Sequence, residues 1–186
     1  TQKAGQKCTA VRRIFTPSAI RERVRDDLID RLQGIVIGKP GAEGVKMGPV
    51  ATAQQQRDVT AGIDSLTSQA KRVLGDSPPS LVGVEEGKGY FVPITLFDSE
   101  TPDVKGAHDD EVFGPAAVLM GGVDDAATAG QWVAKGQGGL VCSVYSDDRK
   151  YATSMLSEVA PHHGRVMFAS AKIADQAPSP GTVLPS

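Results

Sequence analysis

Apolar positions recur at helical spacing in two long stretches. Ile20, Val24, Leu28 and Leu32 repeat at every fourth position and Ile29 widens the stripe, which predicts an amphipathic helix facing a core. Thr16 and Pro17 read as its N-cap and first helical residue, and Gly34 as its stop. The longest helical pattern runs over 52–74, with Val59, Ile63, Leu66, Ala70 and Val73 on one face and Gly75 as C-cap. Shorter patterns predict a helix from Asp124 and Asp125 toward Lys135. Another starts at Asp147 and Asp148, turns Tyr151, Met155, Leu156 and Val159 inward, and stops at Pro161. Short apolar or β-branched runs at 11–15, 81–84, 90–97, 116–120, 140–145 and 164–169 predict strands, and Pro93 suits an edge or bulge. Strands alternating with helices imply an α/β layer fold with a largely parallel sheet, and there is no internal repeat.

The connecting stretches carry little chemistry of their own. Residues 35–50 are rich in glycine and proline, but contain neither G-K-[S/T] nor G-x-G-x-x-G, so they read as a structured connector rather than a phosphate cradle. Residues 99–110 are polar and acidic, and 175–186 are rich in proline and serine, which predicts a loose tail.

Composition narrows the function classes. The chain has 186 residues, enough for one domain with its own core. A net charge of -2 and only 5% aromatic residues leave no basic footprint or stacking platform for nucleic acid. No apolar run approaches the roughly 18 residues of a membrane span. Two cysteines, Cys8 and Cys142, sit in different contexts, which argues against a disulfide framework and for a reducing cytoplasm. The opening at Thr1 reads as the middle of a longer protein.

Cys8 is the first candidate for chemistry. Gly5 lets the backbone bend near the thiol, and Lys3, Lys7, Arg12 and Arg13 make the surroundings positive, which favours the nucleophilic thiolate. The plain alternative is a free cysteine packed as a small hydrophobe. Glu111, in E-V-F-G-P at 111–115, is a carboxylate on a turn before a strand; its plain alternative is a solvated acid beside a packed phenylalanine. His108, Asp109, Asp110 and Glu111 are adjacent and do not converge on one ion, so no metal site is expected. His162 and His163 read as surface residues, and Cys142, flanked by apolar residues, as buried and inert.

The run KAGQKCTAVRRIFTP, at 3–17, resembles the catalytic-cysteine region of the aldehyde dehydrogenase superfamily. It is most similar to the branch that oxidises CoA-linked semialdehydes in aerobic breakdown of phenylacetate and benzoate. E-V-F-G-P resembles that family's second hallmark, and V-I-G-K-P, M-G-P-V and G-Y-F-V-P-I-T-L-F are similar to further family segments, with Ile94 an extra residue. Ala169 and Ser170 depart from an expected asparagine, and Ser179 and Pro180 from a glycine–histidine pair in the similar stretch at 179–185.

The resemblance implies a three-layer catalytic domain with helices flanking a largely parallel central sheet. Cys8 would be the nucleophile, with its own backbone N–H as an oxyanion donor. Glu111 would accept hydrogen bonds from the nicotinamide ribose hydroxyls, and Phe113 would pack near the nicotinamide. NADP or NAD would be the cofactor, with NADP preferred by analogy, and a small aldehyde, possibly CoA-linked, the substrate. The base glutamate, the oxyanion asparagine, the cofactor domain and the dimerisation arm would lie outside this chain, leaving it inactive alone. A homodimer in the cytoplasm is the expected assembly. Three other readings stay open: a generic aldehyde or semialdehyde dehydrogenase, a cofactor-free acyl-transfer hydrolase using Cys8 with His162 or His163, and a non-catalytic domain with a structural Cys8.

Overall fold

A computed structural model describes residues 1–173; the predicted tail at 175–186 and the similar stretch at 179–185 lie outside the described residues. In chain order the elements are β1 Arg13–Phe15, α1 Arg21–Gln33, β2 Ile37–Gly38, α2 Ala53–Thr67, β3 Lys71–Leu74, β4 Leu81–Val82 and β5 Thr95–Ser99. They continue with α3 Lys105–Asp109, β6 Ala116–Met120, α4 Ala126–Ala134, β7 Gly139–Tyr145, α5 Arg149–Val159 and β8 His163–Ala169.

The main sheet has the order β1-β6-β5-β3. Its first three strands are parallel and β3 runs antiparallel on the edge, so the sheet is mixed but mostly parallel. β7 and β8 form a separate parallel pair, as do β2 and β4. The largely parallel sheet expected from the sequence is present, and among the described residues the β7-β8 pair stands apart from it, with β1 and β7 flanking a cleft rather than pairing.

Two apolar clusters follow. Val59, Ile63 and Leu66 of α2 pack with Phe97, Val118 and Met120 from the sheet. Val123, Val133, Val144, Met155 and Val159 form the second cluster under β7 and β8. Phe15 packs against both.

Several expectations change. The pattern over 52–74 is helical only to Thr67, where Thr52 Oγ1 caps the start by accepting from Gln55 N at 3.1 Å. Ala70 and Val73 are not on that helix. Residues 71–74 instead pair with β5, which satisfies their backbone groups on the sheet edge. Gly75, at φ +95°, ends this strand rather than capping a helix. Thr16 does not cap α1: it is buried and its N–H donates to Met120 O, while Ser18 N and Oγ donate to Asp124. A 3-10 turn, Ser18–Ile20, then leads into α1, whose stripe is only half-covered, with no fully buried residue. Leu156, expected inward, is exposed. The short helix α3 lies inside the stretch read only as polar.

One charged contact ties α1 to the sheet. Arg21 Nη1 donates to both carboxylate oxygens of Asp98 at 2.6 Å, and Arg25 adds a longer contact at 3.6 Å. Asp98 is buried, so it depends on these arginines for compensation. Arg21→Leu should lower the unfolding free energy by about 3 kcal/mol, because it strands a buried carboxylate. The measurement is the shift in urea midpoint.

Candidate active site

Cys8 sits in the turn that leads into β1, and its side chain is exposed rather than packed as a small hydrophobe. The turn begins with backbone in the left-handed region at Lys3, Ala4 and Gly5, with φ of 51°, 52° and 75°. The two non-glycine residues there cost about 1–2 kcal/mol each. Burial of Ala4, at 2% exposure, and contacts around Gly5 hold the conformation. Gln6 Oε1 accepts from Ala51 N at 2.9 Å, which ties the turn to the connector ahead of α2.

Hydrogen bonds inside the turn are donated by Ala4, Gln6, Lys7 and Ala10. The Cys8 N–H makes none among the described residues. Gln6 Nε2 and Thr9 Oγ1, on either side of the thiol, are buried donors without partners among the described residues.

The turn carrying Glu111 and Phe113 lies against this segment. A Cβ on Gly5 would overlap the Gly114 carbonyl and stand 2.7 Å from Pro115 N, so only glycine admits the two backbones at this approach. From the other side, Val59 of α2 packs onto Gly114 so closely that a Cβ there would overlap its Cγ1. Arg12 Nη1 donates to Glu111 Oε1. Val118 N donates to Arg12 O at 2.8 Å, fixing the backbone beneath that contact. Glu111 is exposed, Phe113 half-buried and Val112 buried in the first core.

Three of the basic residues grouped around Cys8 in the sequence have other engagements. Lys7 donates to Gln2, and Arg12 to Glu111. Arg13 turns inward, donating to Val133 O at 3.2 Å and to His108 Nδ1 at 3.1 Å. With Nδ1 as acceptor, His108 Nε2–H donates to Pro102 O at 2.8 Å, the arrangement of a neutral ring. His108 stacks between Phe15 and Trp132. Burial, with Arg13 and Lys135 nearby, pushes its pKa down; the Pro102 carbonyl and Asp103 oppose this. His108 is therefore a core residue joining α3, β1 and α4, and no group of metal-binding side chains forms among the described residues.

Cys8, Arg12 and Cys142 line a cleft of about 750 Å³ between β1 and β7. Cys142 is half-buried; burial raises its thiol pKa and the nearby Arg13 opposes this, so the protonated thiol is favoured. His163 also lines this cleft, with Nδ1 bonded to Val159 O at 2.9 Å; His162 does not. Sequence reasoning paired Cys8 with residues 111–115 but missed Arg12 as their link. Its only visible signal was the doubled arginine at 12 and 13.

The model of the aldehyde dehydrogenase family matches residues 1–181. A 3,4-dehydroadipyl-CoA semialdehyde dehydrogenase of Aromatoleum evansii is 34% identical over 190 residues, covering 100% of this chain and 36% of the relative. An alpha-ketoglutaric semialdehyde dehydrogenase of Bacillus subtilis is 31% identical, covering 97% of this chain and 36% of the relative. The chain thus spans about a third of the length of these relatives. Among solved structures, a 1-pyrroline-5-carboxylate dehydrogenase from Thermus with bound NAD is similar, with a TM-score of 0.76 and 30% identity over 89% of this chain and 30% of that chain.

Two outcomes follow from this geometry. Gly5→Ala should destabilise the chain by at least about 2 kcal/mol, through overlap with Gly114 and the left-handed backbone; an unchanged urea midpoint would contradict the close approach. The depressed His108 pKa makes the unfolded state bind protons first as pH falls. Its contribution to stability is full above about pH 6.5 and declines below it. Melting temperatures between pH 8 and pH 5 should show this decline, and His108→Gln should flatten it.

Proposed function

The chain belongs to the aldehyde dehydrogenase family, and we propose that it carries the nucleophile half of an active site that oxidises an aldehyde to a carboxylic acid with NADP or NAD. The observation that carries the proposal is the Gly5–Gly114 backbone approach, which sets the Cys8 turn against the turn of Glu111 and Phe113. An exposed thiol and an exposed carboxylate on neighbouring turns suit a reaction that needs a nucleophile beside a bound dinucleotide.

The residues present fit a nicotinamide ribose. Glu111 offers lone pairs on both carboxylate oxygens beyond the one engaged by Arg12, enough for two vicinal hydroxyls. Phe113, two residues on, would lie against the nicotinamide side. When bound, the nicotinamide supplies the acceptor for hydride. Cys8 Sγ, as thiolate, adds to the aldehyde carbon and forms a thiohemiacetal. The Cys8 N–H, without another partner among the described residues, would donate to the developing oxyanion. Loss of hydride from that carbon leaves a thioester on Cys8. Water hydrolyses it, releasing the acid and restoring the thiol.

A CoA-linked semialdehyde is the proposed substrate. The Aromatoleum evansii relative is named for one, and its match spans the whole chain. A generic semialdehyde is the alternative, for which the Bacillus subtilis relative speaks. The cofactor domain, base glutamate, oxyanion asparagine and dimerisation arm are proposed to be supplied outside these residues, in a cytoplasmic homodimer. No helix among the described residues is long and apolar enough to cross a membrane.

In the full-length enzyme, Cys8→Ser should lower kcat for aldehyde-dependent NAD(P)H formation by at least about a thousandfold, the scale of losing a catalytic nucleophile. Retained activity would remove Cys8 from the mechanism. Cofactor-free ester hydrolysis that depends on His163 would replace the dehydrogenase reading with the hydrolase one.

A further inference from the structure

Glu111 lies on irregular backbone between α3 and β6, and its side chain is 57% exposed. A free glutamate there would sample many rotamers, and ordering it on binding would weaken the grip on a ligand. Arg12 removes that freedom. It sits just before β1, its carbonyl held by Val118 N, and its side chain is 35% exposed. Half-burial disfavours its charge, and Glu111 is its carboxylate partner. The donor is therefore anchored at its backbone by the sheet, while the acceptor sits exposed on irregular backbone.

We propose that Arg12 is a positioning residue: its Nη1–H to Glu111 Oε1 bond pre-orders the carboxylate for the cofactor's ribose diol. The inference rests on the ribose role proposed for Glu111. Oε2 keeps its full acceptor capacity, and Oε1 keeps one lone pair, so the bond orders the group without using it up. Pre-ordering raises affinity by moving the conformational cost from binding into folding. Arg12 acts through Glu111 and does not itself touch the cofactor.

A double-mutant cycle on the full-length enzyme separates these claims. KM for NADP and NAD, and KM for the aldehyde, are measured for Arg12→Met, Glu111→Ala and the double variant. Arg12→Met should raise the cofactor KM about tenfold, the factor expected from losing one charge-assisted hydrogen bond, and leave the aldehyde KM unchanged. In the Glu111→Ala background it should change the cofactor KM by less than about twofold, because the shared contact is already gone. Arg12→Lys, which keeps a donor, should recover part of the loss and carries the comparison if Arg12→Met fails to fold.

The same factor in both backgrounds would overturn the proposal, since Arg12 would then act independently of Glu111. An unchanged cofactor KM in Arg12→Met, with Glu111→Ala impaired, would overturn it while leaving the ribose role intact. Unchanged cofactor kinetics in Glu111→Ala would defeat the ribose role itself, and the positioning role with it.

Discussion

The site depends on one close approach between two backbones. Gly5 meets Gly114 and Pro115 where no side chain fits, and Val59 presses on Gly114 from beneath. The parallel pairing of β1 with β6 makes this contact possible. Arg13 stands opposite Val118, and Cys8 precedes Arg13 by the same interval as Phe113 precedes Val118. Neighbouring parallel strands carry their lead-in segments to the same end of the sheet. A motif near residue 8 and another near residue 111 thus become adjacent through register alone.

The two ends of the sheet are used differently. Ligands of open parallel sheets usually bind beyond the carboxyl ends of the strands. Here that end is closed by structure: Thr16 N–H donates to Met120 O, Gly121 N–H to Ser99 O, and Arg21 grips Asp98. The amino ends of β1 and β6 are instead left with an exposed thiol and an exposed carboxylate. The strained turn lies at this end: Lys3 and Ala4 have left-handed backbone, with Ala4 buried and Gly5 packed against Gly114.

Much of this was legible in the sequence where one residue type has one physical use. Asp125 and Asp148 cap α4 and α5 as read, because a carboxylate ahead of an apolar periodic run has backbone amides to satisfy. The pairing of the Cys8 region with residues 111–115 was legible from resemblance. Periodicity failed at 70–75, where Ala70 and Val73 fit the face of α2 but residues 71–74 serve the sheet edge better. A short strand that continues a helical pattern cannot be told from the helix without its pairing partner. Helix α3 was hidden by its polarity, and His108 within it by acidic neighbours that raised only the question of a metal site. The division between the β1 and β7 sheets leaves no local trace at all, since it concerns two strands far apart in the chain.

The two adjacent arginines show how position, rather than composition, sets chemical role. Read as sequence, Arg12 and Arg13 were one patch of positive charge around Cys8. Strand alternation sends them to opposite faces. Arg13 goes inward, bonding the carbonyl of Val133 near the end of α4 and Nδ1 of His108, which stacks between Phe15 and Trp132. Arg12 goes outward, to the carboxylate of the neighbouring turn. One arginine therefore joins the two cores, while the other joins the two motifs. Neither charge is committed to the thiol: both guanidinium groups are engaged elsewhere, one by a carboxylate and the other by a carbonyl and an imidazole.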